Sequence, residues 1–229
     1  SIQTGAPLAG LLFSIFICSA IMFASCLFTI HFRANPFLIG LGINFLSTGI
    51  ISYASQHFFK TTSVISESAK VVFSAKTVTY GGLPLSLLAW IISITILILV
   101  QKTAWGKQVR ITGSDPEVLT ARGLNPAKYK LTTWTIAAAL SAFAGCIYAF
   151  RLSAFVPNIS SGRGWIAIAA IFIGRKNGWG TTLVLVIFAI LDYGATAIQG
   201  MGIIQISPTI LLSIPYLVAL LLFIFQPAK

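Results

Sequence analysis

Acidic residues are almost missing from this chain: four of its 229 residues are Asp or Glu against fifteen Lys or Arg, and charged residues together make up 8%. So small a polar complement cannot cover a water-soluble globule, and 57% hydrophobic residues with a mean hydropathy of +0.93 place the chain in a bilayer. G-x-x-x-x-G-K-[ST] is absent, so the chain does not cradle nucleotide phosphates by that device. Cysteine is scarce. Cys18, Cys26 and Cys146 fall in apolar stretches, the first two roughly 12 Å apart along one helix at ~1.5 Å per residue, too far for a disulfide. They read as small core residues. Neither His31 nor His57 has a carboxylate or thiol at ligand spacing, and no nucleophile–base set is visible. The expectation is a chain with no catalytic residues, no metal site and no cofactor of its own. The net charge of +11 does not point to nucleic acid, because the basic residues punctuate apolar runs instead of sharing one soluble face.

What is present is hydrocarbon in long runs. Apolar stretches of about 20 residues predict membrane-crossing helices at 7–30, 36–59, 83–101, 131–150, 180–199 and 208–225, an all-α polytopic bundle of about six full spans. The apolar stretch 164–174 covers roughly half of a ~30 Å hydrocarbon core, as a half-helix or as a helix that extends into its polar flanks. Alternate loops divide the basic residues two to one. One side takes Arg33, the six between Lys102 and Lys130, Arg175, Lys176 and Lys229; the other takes Lys60, Lys70, Lys76, Arg151 and Arg163. By the positive-inside rule the first set, with the C-terminus, is cytoplasmic. No cleavable signal peptide is legible and the chain opens on Ser1, so further N-terminal spans are expected before it. The outer loop 60–82, rich in Ser, Thr and Val with a possible strand at 70–80, is either a lip or docking surface or an ordinary connection.

Two of the four acids lie in "GSDPEVLTARGLNP", residues 113–126, on the cytoplasmic side. Asp115 suits an N-cap, Pro116 the first helical position, Glu117 the positive end of the helix dipole, Arg122 the negative end and Gly123 the C′ position. A short amphipathic helix of about two turns is predicted there, serving either as a docking element or as a surface helix in a connection.

Polar groups within spans cost energy unless they meet a cavity or a partner. Asp192 is the only charge inside any predicted span. It is suited to bonding solute hydroxyls or ring N–H groups, to relaying a proton, or to capping a broken helix. Asn44 can both donate and accept. Trp165, Tyr193 and Phe150 are candidates for stacking on a flat heterocycle, with Gln199 as a polar contact, or for interfacial anchoring. Arg163, between Gly162 and Gly164, is either an aid to solute or partner or a solvated loop charge. Ala137, Ser141, Gly145 and Ala149 recur every four residues as a ridge that admits a close neighbouring helix.

The stretches "GKQVRITGSDPEVLTARGLNPAKYKLTTWTIAAALSAFAGCIYAF" and "PNISSGRGWIAIAAIFIGRKNGWG" resemble the membrane permease subunits of ABC importers of the branched-chain amino acid, ribose and nucleoside superfamily. Its loop pattern G-x-x-x-R-x-x-G-x-x-P-x-x-A-x-x-x-G-[IL]-N is met by Gly106, Arg110, Gly113, Pro116, Gly123 and Asn125, while Leu119 and Thr120 stand where small residues are usual. The nucleoside branch is the most similar, through Gly162–Ala167, Gly174 and Arg175, the acid Asp192 in the penultimate span, and Pro215 with Tyr216; Asn44 also resembles an Asn of the family. The resemblance implies one permease domain over 1–229, with a coupling loop at 113–126 that docks an ATPase subunit through Asp115, Pro116, Glu117, Leu119, Arg122 and Gly123. It also implies ATP and Mg on that ATPase, a second permease, identical or homologous, and an extracytoplasmic solute-binding protein at a bacterial inner membrane. The implied solute is nucleoside-like, with riboflavin and simple sugars open, and an ion-coupled carrier using Asp192 is the rival mechanism.

Overall fold

The computed structural model describes residues 7–61, 65–66, 79–80, 83–152, 154–156, 159–160 and 163–200. Its helices are α1 (Pro7–Phe32), α2 (Pro36–Phe59), α3 (Leu85–Lys102), α4 (Ala104–Ser114), α5 (Pro116–Ala121), α6 (Pro126–Leu152), α7 (Arg163–Ile173) and α8 (Gly178–Gly200). Strands are reduced to two-residue pairs: β1 (Ile65–Ser66) with β4 (Ala154–Phe155), and β2 (Thr79–Tyr80) with β3 (Leu83–Pro84), both antiparallel. The chain forms two compact units, Ser1–Ile159 and Ser160–Lys229.

Three helix starts use one device. Asn35, Asp115 and Asn125 each precede a proline, and each accepts a hydrogen bond on its side-chain oxygen from the backbone N–H two residues on: Phe37 at 2.9 Å, Glu117 at 3.1 Å and Ala127 at 2.9 Å. Proline at N1 brings a preset φ and no N–H to leave orphaned, while the Asx side chain satisfies one of the N–H groups that remain. Basic residues sit just past helix ends in left-handed backbone: Arg33 after α1, Lys60 after α2, and Arg175 with Lys176 after α7. Their charge meets the negative end of each helix dipole.

In the first unit, α1, α2 and α6 are long and apolar enough to cross a bilayer. At ~1.5 Å per residue, the 26 residues of α1 exceed a ~30 Å core. Their surfaces suit lipid: Phe16 and Phe45 are each 72% exposed, an arrangement water would penalise. α1 and α6 pack together, and their buried side chains are few: Leu11, Cys26 and Thr29 on α1 and Ala138 on α6. Thr29 and Ser25 donate their hydroxyls to carbonyls four residues back, so neither hydroxyl is left without an acceptor in the apolar layer. Ala137, Ser141 and Gly145 of the ridge are exposed within this chain, and the buried position of α6 is the neighbouring Ala138.

The expected span at 83–101 appears as α3, and beyond it the structure adds a helix where the sequence suggested a loop. α3 and α4 meet at a 76° bend. Thr103 makes the corner: its hydroxyl donates to Leu99 O at 2.6 Å and accepts from Gly106 N at 3.1 Å. Gly106 lies against the Val100 carbonyl, leaving no room for a Cβ. The β1–β4 pairing brings the C-terminal ends of α2 and α6 to one end of the unit. α4, α5 and the start of α6 gather at the other. This segregation matches the alternation of basic loops read from the sequence.

The described residues of the second unit form a helical hairpin. The expected half-helix is α7, 11 residues long, and it turns through Gly174–Asn177 into α8, 23 residues long. Ala170, Val184 and Phe188 are buried between the two, flanked by Ile166, Ala169, Ile173 and Leu191. A Cβ on Gly174 would strike the Thr181 backbone, and one on Gly180 would lie 2.8 Å from Gly174 O, so the turn closes only because both are glycine. The expected span at 208–225, with Pro215 and Tyr216, and residues 70–78 of the expected strand lie outside the described residues. The described helices thus comprise three full spans, the bent α3–α4 pair and the α7–α8 hairpin, short of the six full spans expected.

Replacing Gly180 with Val should overpack the hairpin turn by about 1–3 kcal/mol. A lower melting temperature in detergent is expected, and an unchanged one would show that the turn has slack.

Candidate functional site

Two places gather the polar residues singled out by sequence. The first is α5. Asp115 caps it, with Glu117 in the first turn. It closes with Arg122 N to Leu119 O at 3.0 Å, Gly123 N to Thr120 O at 2.9 Å and Leu124 N to Leu119 O at 3.0 Å. Gly123 has φ +73, the left-handed geometry that this Schellman closure needs. Both ends are therefore sealed by residues within nine positions, and a six-residue helix, too short to persist by propensity, is held in shape.

What holds it to the protein is Leu119. Its side chain is 1% exposed and, with Cys26, is the largest fully buried in the described structure. Asp115, Glu117, Val118 and Arg122 are exposed. The leucine that departs from the small residue usual in the resembling loops is thus the anchor, and it faces inward, whereas the charged residues line the free side. α5 presents a rigid charged ridge, acidic at its start and basic at its end, with an apolar tip at Val118, which is 39% exposed. α4 adds Lys107 and Arg110, both exposed, to the same end.

The second place is in the hairpin. Arg163 Nη2 lies 3.2 Å from Asp192 Oδ2, with the two side chains 41% and 31% exposed. The pair sits in register with the hairpin core: 163 opposes 192 as 166 opposes 188 and 170 opposes 184 about the turn near 177. Asp192 therefore has a charge partner from the neighbouring helix. The sequence reading left Arg163 unconnected to it, although a solitary acid in a span asks for a counter-charge. Trp165, 48% exposed, and Tyr193, 77% exposed, lie beside the pair in sequence on α7 and α8. Asn44 is exposed on α2 in the first unit, its carbonyl accepting from the hydroxyls of Ser47 and Thr48. Phe150 is on α6 and Gln199 on α8; their side chains lie outside the described residues. Among the described residues no group of three His, Cys, Asp or Glu could hold a metal ion.

Long lipid-facing helices, a capped charged helix at their basic end and a hairpin of one half-length and one longer helix with an internal ion pair define a multi-pass membrane protein. The family model for the branched-chain amino acid transport system permease component matches residues 2–226, and the chain belongs to that family. The nucleoside ABC transporter permease protein NupC of Lactococcus lactis is 25% identical over 203 residues, 82% of this chain and 63% of that protein. The galactose/methyl galactoside import permease protein MglC of Salmonella typhimurium is 28% identical over 180 residues, 73% of this chain and 53% of that protein. The uncharacterized protein MG121 homolog of Mycoplasma pneumoniae is 27% identical over 215 residues, 91% of this chain and 67% of that protein. The chain thus spans between about half and two thirds of the length of these curated relatives. No solved structure matches it.

If the Arg163–Asp192 contact stabilises the hairpin, Arg163→Ala and Asp192→Ala should each lower the melting temperature more than additivity allows beside the double variant. Removing one partner strands the other, whereas removing both does not. Strict additivity would show the contact to be energetically idle.

Proposed function

We propose that this chain is a translocation subunit of an ABC importer that moves a nucleoside-like solute inward by alternating access, with ATP and Mg bound on a separate ATPase subunit. The observation that carries the reading is α5: a helix sealed at both ends, bolted down by Leu119 and displaying Asp115, Glu117, Val118 and Arg122 outward. A rigid charged ridge on a buried anchor passes force from a docked partner into the bundle, since neither its ends nor its base yields. A second permease, a copy or a relative, and an extracytoplasmic solute-binding protein complete the assembly at a bacterial inner membrane, with α4, α5 and the C-terminus cytoplasmic.

The solute route runs past Arg163 and Asp192. A carboxylate beside a guanidinium offers acceptors to hydroxyls and ring N–H groups and donors to ring and carbonyl oxygens, which is the polarity of a nucleoside. Trp165 and Tyr193 of the same hairpin are the faces proposed for a flat ring, with Gln199 as a further polar contact; Phe150 and Asn44, in the first unit, are proposed for the route on sequence grounds alone. Simple sugars or riboflavin present the same hydroxyl pattern. A sugar is the second reading, supported by the galactoside permease among the relatives. The ion-coupled carrier has less to rest on, because Arg163 gives Asp192 a structural use that needs no proton relay.

Purification of the tagged chain in detergent should recover a Walker-motif ATPase. Reversing both charges, Glu117→Lys with Arg122→Glu, should abolish that recovery and the solute-stimulated ATPase rate while leaving the melting temperature within a few degrees. Full recovery of the ATPase by the doubly reversed chain would remove α5 from the interface.

A further inference from the structure

At the start of α5, α4, Pro116 and the first turns of α6 form a cleft of about 460 Å³. Its walls include Thr112, Pro116, Tyr129, Lys130, Thr133 and Trp134. Lys130 is half-buried, with its Nζ 5.5 Å from the centre of the Trp134 ring. That cation–π contact fixes the ammonium without consuming its hydrogen-bond donors. Thr112 and Thr133 donate their hydroxyls to Gln108 O and Tyr129 O, leaving oxygen lone pairs as their remaining polar capacity.

Thr133 and Trp134 also form one wall of a second hollow of about 340 Å³ between α1, α2 and α6. There the other walls are Met22, Pro36, Ile39, Gly40, Ile43 and Ala137, without a charged or amide side chain among them. A cationic, aromatic-walled cleft and an apolar groove therefore share a wall. The junction lies at the depth where the apolar span of α6 begins, Pro126–Ala149, and where Lys102, Lys107, Arg110 and Lys128 make the surroundings positive.

We propose that this junction is a site for one anionic phospholipid, with its phosphate in the cleft on Lys130 and an acyl chain in the groove along Ile39, Gly40 and Ala137. A soluble anion would use the cleft and ignore the groove, and a neutral apolar helix would use the groove and ignore the cleft. An amphiphile with a negative head uses both, and the local charge selects that head over a zwitterionic one. Because Gly113 and Pro116 are part of the cleft wall, a seated headgroup braces the start of α5. The inference is independent of the solute carried and of the partner that docks on α5.

The test is native mass spectrometry of the full purified chain, delipidated and then exposed to phosphatidylglycerol or phosphatidylcholine. One phosphatidylglycerol is expected to be retained in preference to phosphatidylcholine. Lys130→Gln should weaken its retention about fivefold, the effect of one surface cation, and Lys130→Arg should restore it, which separates lost charge from misfolding. Ala137→Phe should fill the groove and also weaken retention, whereas Lys60→Gln, beyond the C-terminal end of α2 at the other end of the unit, should not. Equal retention of the two lipids, or of phosphatidylglycerol by the wild type and Lys130→Gln, would overturn the proposal. So would displacement of the lipid by millimolar inorganic phosphate that binds wild type and Ala137→Phe alike, since the cleft would then be a soluble anion's site.

Discussion

A peptide group in hydrocarbon costs several kcal/mol unless it is hydrogen-bonded, so a chain in a bilayer can change direction only where its own residues close the turn. This constraint accounts for most of the described structure. Asn35, Asp115 and Asn125 open helices with the same bond to the second N–H onward. Arg33, Lys60, Arg175 and Lys176 take left-handed backbone just beyond helix ends. At the α3–α4 corner a single hydroxyl on Thr103 serves a carbonyl on one side and an N–H on the other. Helices can then follow one another with links of one to four residues, so α4 and α5 form a stiff floor beneath α6. The coupling role proposed for α5 needs such a floor, because a flexible link would absorb the displacement it is meant to pass on.

The parts of this arrangement that were legible in sequence are those written locally. Asp115, Pro116 and Gly123 specify α5 within nine residues, and the observed cap and closure follow that pattern. The long apolar runs of α1, α2 and α6 are equally plain. α4 was hidden because its apolar and basic residues average to neither a span nor a loop, and only the 76° bend at Thr103 shows that the chain stays helical past Lys102. Leu119 read as a departure from a small-residue position because sequence cannot distinguish an inward anchor from an outward contact; burial decides it. The ridge from Ala137 to Ala149 was legible as residue types, but within this chain the buried position of α6 is the neighbouring Ala138, about 100° around the helix, which spacing alone does not reveal.

The Arg163–Asp192 pair was beyond local reading, since 29 residues separate its members, yet its depth has consequences for the solute route. α7 rises roughly 16 Å from the turn to Arg163 at ~1.5 Å per residue. With the turn that carries Arg175 and Lys176 at a polar surface, as its charges favour, the pair would stand about halfway across a ~30 Å core. Fully lipid-exposed charges at that depth are disfavoured, and wholly buried ones would show little surface. At 41% and 31% exposed, these two side chains are neither. That intermediate exposure suits the solute route proposed above, for which a half-length helix leaves more room than a full one would. The shortness of α7 and the contact at its first residue belong together in the hairpin: the helix begins where Arg163 reaches across to Asp192 on α8, so the pair ties the open end as Gly174 and Gly180 close the turn.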